Sequence, residues 1–195
     1  MVFLAALSSC TQQLAQRSQS HWLEKNLSQQ LYKAQTEDLP EPWQGTIATV
    51  VSGYLESTAI GELSGLAASH KNPGVFWAIN DSGNRSELYA VNRNGRHLET
   101  FAVPESNVDW EDLASFKRDG KSWLVIADTG DNRRRRSSSF LYLVEEPEAT
   151  AGGTATAEAG RSLATQTTIE FSYEDGPQNV ESIAVSAQDL SLIHI

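Results

Sequence analysis

A motif that returns along the chain, strand-like segments separated by turn formers, and the loss of helical periodicity after Thr46 predict an all-β fold: an incomplete β-propeller, about two to three four-stranded blades of six, with a short N-terminal helix. The motif is clearest at Asn107-Val108-Asp109-Trp110-Glu111-Asp112-Leu113-Ala114. Weaker copies stand at Glu62-Leu63-Ser64-Gly65-Leu66-Ala67 and Asn179-Val180-Glu181-Ser182-Ile183-Ala184.

The elements follow in order. Met1–Leu7 is a short apolar run ending in Ser8-Ser9-Cys10, which reads as a lipoprotein-type signal with Cys10 as the lipidated residue. Cys10 is the sole cysteine, so no internal disulfide is possible. Residues 11–45 read as a Gln/Ser-rich tether and a helix over 21–35, where Trp22, Leu23, Leu27 and Leu31 recur at helical spacing before Pro40 and Pro42. Residues 46–189 carry the partial propeller.

In the first unit Ser64–Ala68 opens. Val75–Asn80 is an apolar strand, Glu87–Val91 a third strand, and Asn94-Gly95 a hairpin turn before His97–Val103. The second unit repeats this order from Glu111, with Trp123–Ala127, Phe140–Val144 and Thr168–Tyr173, and a third begins at Glu181. Ser64 and Glu111 are 47 residues apart, the length of one blade. Glu111 and Glu181 are 70 apart; the excess falls on the Ala/Thr/Gly-rich stretch 148–167, read as a disordered insertion. Residues 190–195 look like translated sequencing adapter, with the natural chain expected to continue past Asp189.

Charge narrows the partners. With 15 basic and 25 acidic residues the net charge is −10, which disfavours nucleic acid and favours cations or cationic groups. Apolar runs fall short of the roughly 18–20 residues of a membrane span, so a membrane is expected only through the lipid anchor.

A meander sorts its loops between two ends. Asp81-Ser82-Gly83-Asn84, Asn107–Asp112, Asp128–Asn132 and Glu174–Glu181 then share one end, with Glu111 and Glu181 at the mouth of the central channel. Oxygen donors gathered there suit a hard cation such as Ca2+. Candidate metal ligands are Glu111, Glu181, Asp81, Asp128 and Asp131; candidate ligand-binding residues are Asn80, Asn132 and Arg136. Asp and Asn before Gly also serve as ordinary turn formers, and that alternative stays open. Asp109 and Asp112 read as local caps. Trp77, Trp110 and Trp123 read as packing, and Arg133–Arg136 as a solvated charge run, the alternative being an arginine held over the acidic mouth to bind a phosphate or carboxylate. No residue is assigned a catalytic role.

Ser64-Gly65-Leu66-Ala67, Asn80-Asp81-Ser82-Gly83, Asp109–Ala114 and Ala127–Asn132 together resemble a family of secreted bacterial six-bladed propellers. The fold this implies is similar to TolB-like, lactonase and phytase propellers, several of which hold calcium in the channel. Ser64, where the other units have Glu, thins the acid ring. The expected function is that of an envelope-anchored propeller binding a small molecule or protein on its acidic end through Ca2+. The alternative is a calcium-dependent hydrolase of an ester, lactone or phosphoester.

Overall fold

The structure, a computed structural model, describes residues 52–149, 160–186 and 191–194. The chain divides into Met1–Ser52 and Gly53–Ile195, and every described strand lies in the second unit. Cys10 and the helix expected over 21–35 lie outside the described residues. The described residues are all-β, with no helix among them.

Two antiparallel meanders form the body. The first is β1 (Leu63–Ala68), β2 (Val75–Asn80), β3 (Glu87–Asn92) and β4 (His97–Ala102). The second is β5 (Trp110–Arg118), β6 (Lys121–Asp128), β7 (Ser139–Glu145) and, after β8 (Arg161–Ser162), β9 (Thr165–Phe171). Each strand pairs with the next across its sheet. Turn chemistry fixes the hairpins. Gly74, Gly95 and Gly120 take positive φ in the tight connections, a region that costs glycine little. A short pair, β10 (Ile183–Val185) with β11 (Leu192–His194), starts a third group.

The registers superpose the two sheets residue on residue. Ala78 pairs with Tyr89 as Ile126 pairs with Tyr142, and Trp77 pairs with Ala90 as Val125 pairs with Leu143. Glu111 therefore corresponds to Ser64, and both sit at a β-bulge where strand one loses register with strand two. The same registers match Asp128 to Asn80, not to Asp81: Asn80 stands opposite Leu63, and Asp128 opposite Trp110. The two Asp-x-Gly turns thus differ by one position despite their common pattern.

The sheets stack through one apolar layer. Trp77, Ile79, Leu88 and Phe101 of the first meet Trp110, Leu113, Leu124 and Ile126 of the second, all buried. Fully burying a large apolar side chain contributes about 1.5–3 kcal/mol, so this layer is the main cohesive term. It requires close approach of the two first strands. A Cβ on Gly65 would lie 2.7 Å from the Leu113 nitrogen and 2.8 Å from the Asp112 carbonyl carbon. Gly65 is there because the neighbouring backbone leaves no room for a side chain.

At the end opposite the acidic loops, a buried carboxylate ties the sheets together. Glu146, just after β7, accepts from Ser69 Oγ, the His70 and Lys71 amides, Asn72 Nδ2 and Trp77 Nε1. The β1–β2 turn at Asn72-Pro73-Gly74 is therefore also half of an inter-sheet clamp. The stretch 148–167, expected to be disordered, is ordered at its C-terminal end. Arg161–Ser162 adds a parallel edge to β4, Arg161 lies over the Phe101 ring and pairs with Glu99, and Thr165 begins β9.

Two substitutions test this frame. Glu146→Ala leaves buried donors without an acceptor and is expected to cost about 3 kcal/mol, read as a lowered denaturant midpoint. Gly65→Ala is expected to cost about 1–3 kcal/mol by the same measurement, through overpacking against β5. A wild-type midpoint for either would show that the two sheets tolerate separation.

Candidate functional site

The site is built by two devices at one end of the sheets. The bulge at Glu111 turns its side chain off the regular strand alternation, as bulges do where a side chain must be re-aimed. The β6–β7 loop then passes beneath it with Gly130: a methyl group on Gly130 would overlap Glu111 Oε1 and the Asp109 carboxylate. Two amide side chains pin the loops in place. Asn107 donates to the carbonyls of Asn80 and Asp81 at 3.0 and 2.8 Å and accepts from the Trp110 amide. Asn179 accepts from the Asp131 amide at 2.5 Å and donates to Glu181 Oε1 at 2.6 Å.

The result is a carboxylate cluster. Asp81, Asp109 and Glu111 each offer an oxygen within 4.8 Å of the others'. Glu181, exposed and held by Asn179, lies beside it, and its charge acts on Glu111. Burial first, then the charges of Glu181, Asp81 and Asp109, push Glu111 up to about 8. Burial also raises Asp109, against a hydrogen bond from Ser82 that favours its charged form. Of the expected metal ligands, the structure brings together Asp81 and Glu111 and adds Asp109, while Glu181 stands beside Glu111 outside that group.

Asp128 and Asp131 are placed elsewhere. Asp128 is fully buried, accepts from the Asp109 amide and from Tyr142, and pairs with Arg136 at 2.6 Å. Asp131 accepts from the Arg136 amide and closes its own turn. Arg136 is held between Asp128 and the Gly130 carbonyl, so it braces the loop under the cluster and does not stand over it. Asn80 holds the Glu62 amide and the Ala59 carbonyl. Asn132 is exposed and meets Asn179 at 3.5 Å. Asp112 caps the Leu113 amide and also holds the Ile183 amide at 2.8 Å, joining β5 to the third group.

Sequence reasoning missed Asp109, Asn107, Asn179 and Gly130 as parts of the site. A signal for the amides was present: Asn-Val stands before the acid in two copies of the motif, and both Asn side chains span to the preceding loop.

No protein-family model matches the chain, and no curated protein sequence matches it. No helix among the described residues is long and apolar enough to cross a membrane.

Glu111 holds its proton more tightly folded than unfolded, so its contribution to stability is complete below the ordinary glutamate range. It is lost as pH rises from there through about 8. Without divalent cations, Glu111→Gln should remove this loss, and the gain in melting temperature over wild type should widen from pH 5 to pH 8. Parallel pH profiles for the two proteins would exclude a proton held on the buried Glu111.

Proposed function

We propose that the chain is part of an envelope-anchored β-propeller whose acidic end binds a small molecule or protein partner through Ca2+. One observation carries the reading: acids from two successive repeats (Asp81; Asp109 and Glu111) converge with Glu181 of the third close by, and none of the ion pairs among the described residues involves them. Such a cluster is self-repelling, and a hard cation with flexible oxygen coordination relieves that repulsion. The donor set fits Ca2+: carboxylate oxygens only, with no nitrogen or sulfur donor among the clustered residues. The propeller reading is supported by the superposable registers of the two sheets and by Ile183, which packs on the outer side of the second sheet with Val125, Ala127 and Leu141.

The ligand-presenting mode follows from the chemistry. A Ca2+ held by three or four acids at a loop surface keeps coordination positions for oxygen donors of a ligand. Calorimetric titration with Ca2+ is expected to show one site on wild type. Glu111→Gln and Gly130→Ala are each expected to weaken it at least roughly tenfold, the first by removing a ligand charge and the second by displacing two carboxylates. Absence of Ca2+ binding by the wild type sinks the reading. The anchor is tested separately by mass spectrometry after expression in a bacterial host: the expected N-terminus is an acylated Cys10, and an unmodified Met1 overturns it.

A second reading, a Ca2+-dependent hydrolase of an ester, lactone or phosphoester, has the Glu111 proton in its favour, since a carboxyl titrating at about 8 is poised for proton transfer near neutrality. Turnover of such substrates that disappears in Glu111→Gln, while the variant stays folded, would favour it over pure binding.

A further inference from the structure

The β6–β7 loop is longer than its counterpart in the first sheet: residues 129–138 against 81–86. Its last residues wall one side of a cavity of about 100 Å3, formed by Arg136 and Ser137–Ser139. The other side is the connection out of β9, from Ser172 and Tyr173 to Pro177. Both walls come from the second sheet's own loops.

Two polar groups in this cavity lack protein partners. The Arg136 side chain is 18% exposed and spends Nη1 on Asp128 Oδ1 and the Gly130 carbonyl. Its Nε–Nη2 edge has no acceptor among the described residues. A guanidinium fixed along one edge presents the other as a rigid fork, matched to the two oxygens of a carboxylate. Ser139 is 5% exposed and lines the same cavity, and its hydroxyl has no hydrogen-bond partner among the described residues. The registers equate Ser139 with Ser86, whose Oγ accepts from the Asn107 amide at 2.8 Å. In the first sheet the following connection satisfies this serine; in the second the cavity stands in that place. Buried polar groups are normally hydrogen-bonded, so an unmet hydroxyl beside an unmet donor fork calls for an acceptor from outside the chain.

Charge and size narrow that acceptor. Arg133, Arg134 and Arg135 are exposed on the same loop and enter none of the ion pairs among the described residues, so they favour the approach of an anion. Asp128 offsets the Arg136 charge, and Glu174 and Asp175 stand exposed on the opposite connection. That balance suits a monoanion and opposes a dianionic phosphate. A cavity of about 100 Å3 is smaller than the roughly 300–1,000 Å3 of sites for drug-sized ligands, and admits one small head group.

We propose that this cavity binds the carboxylate of a small organic acid, with the Nε–Nη2 edge of Arg136 as the fork and Ser139 as a further hydrogen-bond donor. Tyr173 and Pro177 offer apolar surface to the carbon body. The site is separate from the acidic cluster and does not require Ca2+.

Chemical-shift titration of the full chain with propionate, in Ca2+-free buffer with chloride as the other anion, tests this. The expected result is a saturable shift at the Arg136 side chain and at the amides of 137–139 and 173–178, with a dissociation constant on the order of millimolar. Propionamide, of the same size without the charge, should not saturate. Arg136→Lys keeps a cation against Asp128 but loses the fork, and should bind propionate at least roughly tenfold more weakly. Ser139→Val, which suits the start of a strand if the lysine variant fails to fold, should weaken it at least roughly threefold. A wild type without a saturable shift overturns the proposal, and so does unchanged affinity in a folded variant. Propionamide binding as well as propionate overturns it too, as does inorganic phosphate binding more tightly, which marks attraction to the arginine run and not recognition by a fork. Ca2+ titration of Ser139→Val separates this cavity from the acidic cluster, since binding there should stay at its wild-type value.

Discussion

The Glu146 carboxylate is the contact on which the two-sheet arrangement depends most directly. Apolar layers are non-directional, and two twisted sheets could slide along theirs at modest cost. A buried carboxylate cannot slide. It needs its charge met by donors, and those donors come from the β1–β2 turn and from Trp77, some seventy residues earlier in the chain. Moving the sheets apart would strand a charge in apolar surroundings, at a penalty of several kcal/mol in real proteins. The clamp therefore converts a nonspecific layer into one register between sheets. It also hydrogen-bonds the indole of Trp77, one of the two tryptophans fully buried in that layer.

That fixed register has a consequence at the other end. With β1 and β5 held at glycine distance, the β2–β3 loop of the first sheet lies against the start of β5, and Asp81 reaches Asp109 and Glu111. The acids do not hold themselves together; after burial, their mutual repulsion is what raises Glu111, and it works against the cluster. The cohesion comes from the clamp at the far end, the apolar layer between, and the Asn107 and Asn179 bridges beside the site. A local weakness is thus supported by a remote strength, a common arrangement where strained or charged groups carry function.

How much of this is legible in the sequence depends on the range of the signal. The eight long strands were, because period-two patterning and Gly/Asn/Asp turns act within a few residues. β8 was not: two residues in a parallel edge have no periodicity, and what defines them is the Arg161 contact with Phe101 and Glu99, some sixty residues away. Glu146 was not, since a Glu before a Pro reads as solvated until its partners are known. Asp81 and Asp128 show a subtler failure. Both begin an Asp-x-Gly turn, so composition equates them, yet pairing matches Asp128 to Asn80. One residue of shift in a strand moves a side chain to the other face. It sends Asp128 inward to Arg136 and Tyr142 while Asp81 turns toward the cluster.

The choice of Asn, not Arg or Lys, as the bridging residue decides what the site can do. Asn107 and Asn179 satisfy carbonyls and amides of the facing loops without adding charge. Arg136, whose charge reaches Asp109, is matched to Asp128, so that pair is close to neutral and leaves little positive field for the cluster. A guanidinium in place of either amide would have stabilised the acids and closed the site to any other cation. Neutral bridges instead hold Asp81, Asp109, Glu111 and Glu181 in place with their charge uncompensated. A proton on Glu111, retained up to about 8, relieves the repulsion; on the proposed reading a metal ion that displaces it does the same. Because both compete for the same oxygens, cation affinity at this end should be tied to pH more steeply than at an ordinary exposed pair of acids.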